Sequence, residues 1–117
     1  MGVGMPASLK LHEFGSKLWD AFDEIPYQVG SSIVEKVWRD VDVRVMLDDE
    51  VYTKMFGDPE RAHDNPRWIT YCLAFSALGV EMTGLPIDFQ VQPRTWANAT
   101  FPSGFRSAIG IVPLRRK

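Results

Sequence analysis

Hydrophobic and polar residues alternate in two short segments of the chain. Over residues 41–47, valines at positions 41, 43 and 45 are separated by Asp42 and Arg44. A period of two places successive side chains on opposite faces of a strand. We therefore predict a strand with its valines in the core and with Asp42 and Arg44 on the other face. Asp40, immediately before this strand, shares that polar face.

The second alternating segment, residues 87–92, has the same character and carries Asp88 on its polar side. Pro93 closes it. A shorter strand is predicted at 27–29, and it leads into a turn at residues 30–32. Residues 33–38 then make one or two helical turns before the strand at 41–47 begins.

The first helix is predicted over residues 9–22, with Ser8 as its N-cap and Pro26 as its stop. The prediction rests on apolar residues that recur every three or four positions. These are Leu11, Phe14, Leu18, Phe22 and Ile25.

Further helices follow the strand at 41–47. A short helix opens at 48–50 and runs to about residue 56, and residues 60–64 are predicted to form a surface loop. A longer helix starts at Asn65, an N-cap residue, with Pro66 at the first helical position, and it ends at Gly84. It is apolar on more than one side, which predicts a central core helix.

The elements follow the order α-β-α-β-α-α-β, and a C-terminal segment comes after them. In that segment we predict a short helix or irregular stretch, followed by an edge strand in the apolar run 108–112. The expected fold class is therefore α/β (α+β), with a small mixed sheet flanked by helices. With 117 residues, of which 45% are hydrophobic, the chain predicts a single domain around one core.

Composition narrows the class of protein. A formal net charge of -2 argues against a general nucleic-acid coat, which needs a basic face. The single cysteine, Cys72, cannot form an internal disulfide. The N-terminus has no basic leader, and no run reaches ~18 apolar residues. We expect a cytoplasmic protein that makes no contact with a membrane.

The aspartates suggest metal chemistry. Asp40 and Asp42, two positions apart on one strand, should have Cα atoms ~6.5–7 Å apart on the same face. Asp88 would complete the cluster from a neighbouring strand. Carboxylate oxygens are the ligands that Mg²⁺, or Mn²⁺ in its place, prefers. An isolated Asp-x-Asp is also common at strand edges and in turns. Without metal, Arg44 would form an ion pair with Asp42 or Asp88.

Two motifs that follow one another along the chain resemble the signature of a known family. An apolar residue precedes Gly30 and Ser31, and Asp40 and Asp42 follow, each with a valine after it. This resembles the signature of the DNA polymerase beta-like nucleotidyltransferase superfamily, and most nearly its small stand-alone members. The resemblance implies that fold, a third catalytic carboxylate at Asp88, and transfer of a nucleoside monophosphate from an NTP to a hydroxyl acceptor by two-metal catalysis.

The turn is a candidate phosphate site. Gly30 permits close backbone approach, and the amides and hydroxyls of Ser31 and Ser32 at a helix start can bind triphosphate oxygens. Arg39 is a further candidate for phosphate contact, although a solvated surface charge is the more common role of such a residue.

The last segment and the partner remain open at this point. Trp96, Asn98, Phe101 and Arg106 would line the base or acceptor side of a cleft, although aromatic residues in a small domain more often fill the core. The acceptor is a small molecule, a protein or an RNA end, and a homodimer mate or a helical partner protein would help to form its site. The alternative is a catalytically inactive interaction protein, or an antitoxin-like regulatory protein, on the same fold.

Overall fold

The computed structural model describes residues 6–30, 40–102 and 104–110. These segments form a mixed sheet with helices, which confirms the predicted fold class. The helical turns predicted at 33–38 lie outside the described residues. The elements are α1 (Ala7–Phe22), β1 (Pro26–Val29), β2 (Val41–Leu47), α2 (Asp49–Phe56), a 3₁₀ helix (Pro59–Asp64), α3 (Pro66–Thr83), β3 (Ile87–Pro93), α4 (Arg94–Thr100) and β4 (Arg106–Ala108).

The described strands form a four-stranded sheet in the order β3-β2-β1-β4. β1 is antiparallel to both β2 and β4, whereas β2 and β3 run parallel. An edge strand is present at Arg106–Ala108, which overlaps the predicted run only at Ala108; residues 111 and 112 of that run lie outside the described residues. After β4, Gly110 has a φ of 114° and its N–H donates to Nδ1 of His12.

One face of the sheet forms the core together with α1 and α3. Val43 and Phe89 have no exposed surface, and neither does Phe14 of α1. The ring of Phe89 lies 5.8 Å from that of Phe22 and 5.4 Å from that of Phe75, measured between centroids. Burial of this aromatic and aliphatic surface provides the main driving force for folding.

Two local predictions were wrong. α1 begins at Ala7, and Pro6 occupies the N-cap position, so Ser8 lies inside the helix. The earlier start follows because the carbonyl of Pro6 accepts the N–H of Lys10. The predicted surface loop at 60–64 is a 3₁₀ helix, and Asp58 caps it by accepting the N–H of Glu60.

α3 has the predicted ends. Asn65 caps its N-terminus, and Gly84 ends it with a φ of 72°. The expectation of a central core helix holds only for the side that faces the sheet, because Leu73 is 65% exposed and Val80 is 47% exposed. Among the described residues, no helix combines the length and the apolar character needed to cross a membrane.

β3 is an edge strand whose backbone is partly covered by α3. Ser76 accepts the N–H of Phe89 at 2.9 Å, and the indole N–H of Trp68 donates to the carbonyl of Val91 at 2.9 Å. Side chains therefore satisfy groups that would otherwise be free to pair with another strand. This covering holds β3, and Asp88 with it, in a fixed position beside β2.

Candidate functional site

The structure brings together the three predicted aspartates. One carboxylate oxygen from each of Asp40, Asp42 and Asp88 lies within 4.8 Å of the others. The cause is the parallel register of β2 and β3, which places Asp42 directly beside Asp88. Asp40 joins them because it immediately precedes β2 on the same face. Alternation alone predicts the shared face, but only strand pairing brings Asp88 into the cluster.

Arg44 lies beside these carboxylates. Its guanidinium is 3.9 Å from Asp42 and 3.6 Å from Asp88, so the predicted ion pair forms with both. Nη1 of the same side chain donates to the carbonyl of Asp88 at 2.7 Å and to that of Val43 at 3.0 Å. The backbone therefore fixes Arg44, and its contacts with the carboxylates are long. Among the described residues, the ion pairs set one cation against three carboxylates, which leaves this part of the cluster with excess negative charge.

The environment of Asp42 disfavours its ionised form. Burial raises the pKa of this carboxyl group; Arg44 opposes the rise, and the charges of Asp88 and Asp40 add to it. Its side chain is 29% exposed. A group in this position is stabilised when a further cation arrives, since the cation offsets both the lost hydration and the repulsion between neighbouring carboxylates.

The donor set fits a divalent ion such as Mg²⁺. All three donors are carboxylate oxygens, the hard ligands that this ion prefers. With Mg–O distances of 2.0–2.1 Å, two oxygens on opposite sides of one ion stand ~4.2 Å apart. The carboxylate oxygens of the cluster are at most 4.8 Å apart, so small side-chain rotations would bring them to that distance. Two ions ~3.5–4 Å apart would span the cluster more easily.

Gly30 lies against the carboxylate cluster. Its φ is 80°, and a Cβ atom at this position would stand 2.6 Å from Oδ2 of Asp42. The glycine therefore provides both a left-handed turn and room for the carboxylate. The predicted nucleotide-binding residues Ser31, Ser32 and Arg39 lie outside the described residues.

A cleft of about 450 Å³ opens from Asp42 along the polar face of the sheet. Its floor comes from the strands, and its wall comes from α4 and the segment before β4. The lining residues are Val29, Gly30, Asp42, Arg44, Met46, Gln90, Gln92, Trp96, Phe101, Gly104, Phe105 and Arg106. The volume falls within the range of small-molecule sites.

The last segment contributes to the cleft largely as predicted. Trp96, Phe101 and Arg106 line it, and the two aromatic rings meet edge to face with centroids 5.9 Å apart. Asn98 is not among the lining residues; it accepts a hydrogen bond from Nη1 of Arg106 at 2.8 Å instead. That bond holds the guanidinium of Arg106 against α4.

Two glutamines of β3 were not singled out from the sequence. Gln90 and Gln92 share the polar face with Asp88 and line the cleft. Gln92 is only 6% exposed. The alternation of residues 87–92 already predicted their position, because a period of two places Gln90 and Gln92 on the same face of the strand as Asp88.

Charged contacts anchor the α4 wall. Arg94 bonds Glu24 at 2.8 Å and Asp48 at 3.1 Å, and it donates to the carbonyl of Met46. Asp49 accepts the N–H of Thr95, and hydrogen bonds from Thr95 lower the pKa of Asp49. These contacts tie the first turn of α4 to the ends of the neighbouring elements and so position Trp96.

No protein-family model, curated protein or solved structure matches this chain with significance. The chemistry of the site is therefore inferred from its own residues.

Proposed function

We propose that this protein is a metal-dependent nucleotidyltransferase, which transfers a nucleoside monophosphate from an NTP to a hydroxyl acceptor. The observation that carries the proposal is the convergence of Asp40, Asp42 and Asp88 beside the Gly30 turn, at one end of the cleft. The carboxylates supply metal ligands, and the cleft has room for the rest of a nucleotide.

The reaction forms a bond between the acceptor oxygen and the α-phosphorus, and it breaks the bond to pyrophosphate, which leaves. Bound Mg²⁺ or Mn²⁺ would neutralise charge on the phosphate oxygens. Asp40, Asp42 and Asp88 would hold the ions. We assign the acceptor proton to Asp88, which stands on β3 beside Asp42 and whose side chain is 44% exposed and so open to an acceptor.

Two arginines would support phosphate chemistry. Arg44 and Arg106 both line the cleft, and each is held by hydrogen bonds to protein oxygens. Fixed charges need little reorganisation when charge develops in a transition state. Gly30 would let a phosphate approach the backbone closely, because it has no Cβ atom in the space beside Asp42.

The acceptor side would be completed by a second chain, either a homodimer mate or a helical partner protein. Phe101 and Phe105 form the rim of the cleft and are 51% and 68% exposed. Exposed aromatic residues at the edge of a site are suited to contact with a partner. An NTP substrate accords with a cytoplasmic location.

Thermal unfolding tests the proposal directly. The protein is heated with Mg²⁺ or Mn²⁺ and each of the four NTPs. A ligand at 100 times its Kd adds ~2.7 kcal/mol to native stability, which corresponds to a rise in Tm of roughly 10 °C. Asp42→Asn should abolish the metal-dependent part of the rise. Glu81→Gln, which removes an exposed carboxylate from α3, should retain it.

If none of the four NTPs raises the Tm in the presence of metal, the proposal is contradicted. If a shift occurs, release of pyrophosphate should be measured next with hydroxyl acceptors of the three classes. Loss of this release in Asp88→Asn, with nucleotide binding retained, would support the role assigned to Asp88.

The alternative is a catalytically inactive interaction or antitoxin-like regulatory protein. It is favoured by one observation, the ion pairs of Arg44 with both Asp42 and Asp88, which partly neutralise the carboxylates without metal. For such a protein, Arg44→Met should destabilise the fold and metal should give no compensation. For the enzyme, Mg²⁺ should restore part of the stability that the variant loses.

A further inference from the structure

We propose that the part of the cleft away from the aspartates binds the base of the nucleotide, and that the amide of Gln92 forms hydrogen bonds with an edge of that base. The inference rests on the proposed function, because it assigns a substrate group to the same cleft. Its key feature is a glutamine that lines the same cleft as two aromatic rings.

Gln92 is nine-tenths buried, at 6% exposure, on the polar face of β3. Gln92 lines the cleft, so its amide is within reach of a ligand bound there. A few polar groups in an otherwise apolar pocket fix the orientation of the ligand. The amide of Gln92 offers one carbonyl acceptor and two N–H donors.

The position of Gln92 suits a base rather than a phosphate. Gln92 lies four residues beyond Asp88 along the strand, a separation of ~13 Å between Cα atoms. The carboxylates and Arg44 lie towards the phosphate end, and Gln90 stands between. A nucleotide with its phosphates at the aspartates would therefore extend its ribose past Gln90 and its base towards Gln92.

The opposite wall suits a flat aromatic group. Trp96 is 47% exposed, and both it and Phe101 line the cleft. Bases stack readily on tryptophan and phenylalanine rings. A purely aliphatic ligand would offer the amide of Gln92 no hydrogen bond. A planar ring with adjacent donor and acceptor atoms can stack on the aromatic wall and form hydrogen bonds with the amide. Every nucleobase has such an edge.

The experiment uses nucleosides, which carry no phosphate, and observes the cleft by NMR. Adenosine, inosine, cytidine and uridine are titrated into ¹⁵N-labelled protein, and the side-chain signals of Gln92 and Trp96 are followed. Inorganic tripolyphosphate with Mg²⁺ is the matched probe for the carboxylate end. We expect at least one nucleoside to move both signals, and tripolyphosphate with Mg²⁺ to bind without a base.

Variants separate the two ends of the cleft. Gln92→Met keeps the volume and removes the hydrogen bonds, and it should weaken nucleoside binding by about 10-fold or more. Trp96→Ala removes the stacking surface and should weaken it by roughly 5- to 150-fold. Neither change should alter the affinity for tripolyphosphate in the presence of Mg²⁺. Leu73→Ala, at an exposed apolar residue of α3, is the control and should leave the binding of both ligands unchanged.

The proposed base site is overturned if no nucleoside moves the signals of Gln92 and Trp96 while tripolyphosphate still binds with Mg²⁺; the proposed function then survives. The reverse result, nucleoside binding without any response to metal and triphosphate, would support the base site and argue against the nucleotidyltransferase. Trp96→Ala keeps the test decisive if Gln92→Met fails to fold, because Trp96 is largely outside the core.

Discussion

The two faces of the sheet differ although the same strands form both. On the inner face, Val41, Val43 and Phe89 have no exposed surface. On the outer face, Asp42 and Arg44 alternate with those valines and lie in or beside an open cleft. The comparison shows how one period-two pattern separates stability from chemistry. Substitutions on the inner face should mainly change the free energy of unfolding, and those on the outer face should mainly change binding.

The largest effect is expected from Phe89→Ala on the inner face. Phe89 is fully buried and its ring packs against those of Phe22 and Phe75. Removal of the ring leaves a cavity and should lower the free energy of unfolding by about 3–5 kcal/mol. Urea denaturation followed by circular dichroism measures this change.

The matched control on the outer face is Trp96→Ala. Since Trp96 is 47% exposed, its loss should cost less than about 1 kcal/mol. If both variants lost the same stability, the separation of the two faces would be wrong.

Two glycines sharpen the same comparison. A Cβ on Gly15 of α1 would stand 2.8 Å from the backbone of Ile109 and Gly110, so Gly15→Ala should destabilise the protein by about 1–3 kcal/mol despite alanine's higher helix propensity. It should not alter Mg²⁺ binding, because Gly15 lies on the core side. Urea titrations and calorimetric Mg²⁺ titrations measure the two effects.

At Gly30 the expectation is different. Gly30→Ala introduces a side chain at a φ of 80° and should cost about 1–2 kcal/mol. It should also weaken Mg²⁺ binding, because the new Cβ would stand 2.6 Å from Oδ2 of Asp42 and so displace a carboxylate of the cluster. Unchanged Mg²⁺ affinity in this variant would show that the turn does not support the carboxylate cluster.

Local patterns predict the two faces well because alternation decides which side chains point to the core. The bounds of β2 and the cap of α3 at Asn65 follow from such patterns. Contacts between distant segments are not encoded in this way. The placement of Asp42 beside Asp88 depends on strand order and parallel register. The 6% exposure of Gln92 depends on what packs around β3, which its own alternating pattern does not specify. Nothing local distinguishes Gln92 from an exposed glutamine.

A smaller effect is expected where α4 is anchored. Arg94→Gln removes the contacts with Glu24 and Asp48, and because Arg94 is 38% exposed the cost should be within about 1 kcal/mol. The local consequence should be faster hydrogen exchange in α4, for example at the amide of Phe101, which bonds the carbonyl of Ala97. Amides in the middle of α3 should exchange at unchanged rates. Equal acceleration in both helices would indicate global destabilisation rather than a loosened cleft wall.

The smallest effect concerns the charge of Asp42 in metal-free protein. Burial raises the pKa of this carboxyl group, so the folded state holds its proton more tightly than the unfolded state. At pH 7 the ionised carboxylate therefore costs stability, and the cost declines as the pH falls through the raised folded pKa towards the unfolded value of 3.8. Asp42→Asn should raise the stability of metal-free protein at pH 7 by on the order of 0.5 kcal/mol.

That gain should shrink in acid, because protonation of Asp42 removes the same cost from the wild-type protein. It should also reverse in saturating Mg²⁺ at pH 7, where the wild-type carboxylate gains a ligand that asparagine binds poorly. Tm measured across pH, with and without Mg²⁺, checks both expectations, and Glu81→Gln controls for the loss of one negative charge. A gain that stayed constant with pH would place its origin in packing. A gain that Mg²⁺ left unchanged would mean that Asp42 does not hold the metal, and the outer face of the sheet would then lack the chemistry that distinguishes it from the inner one.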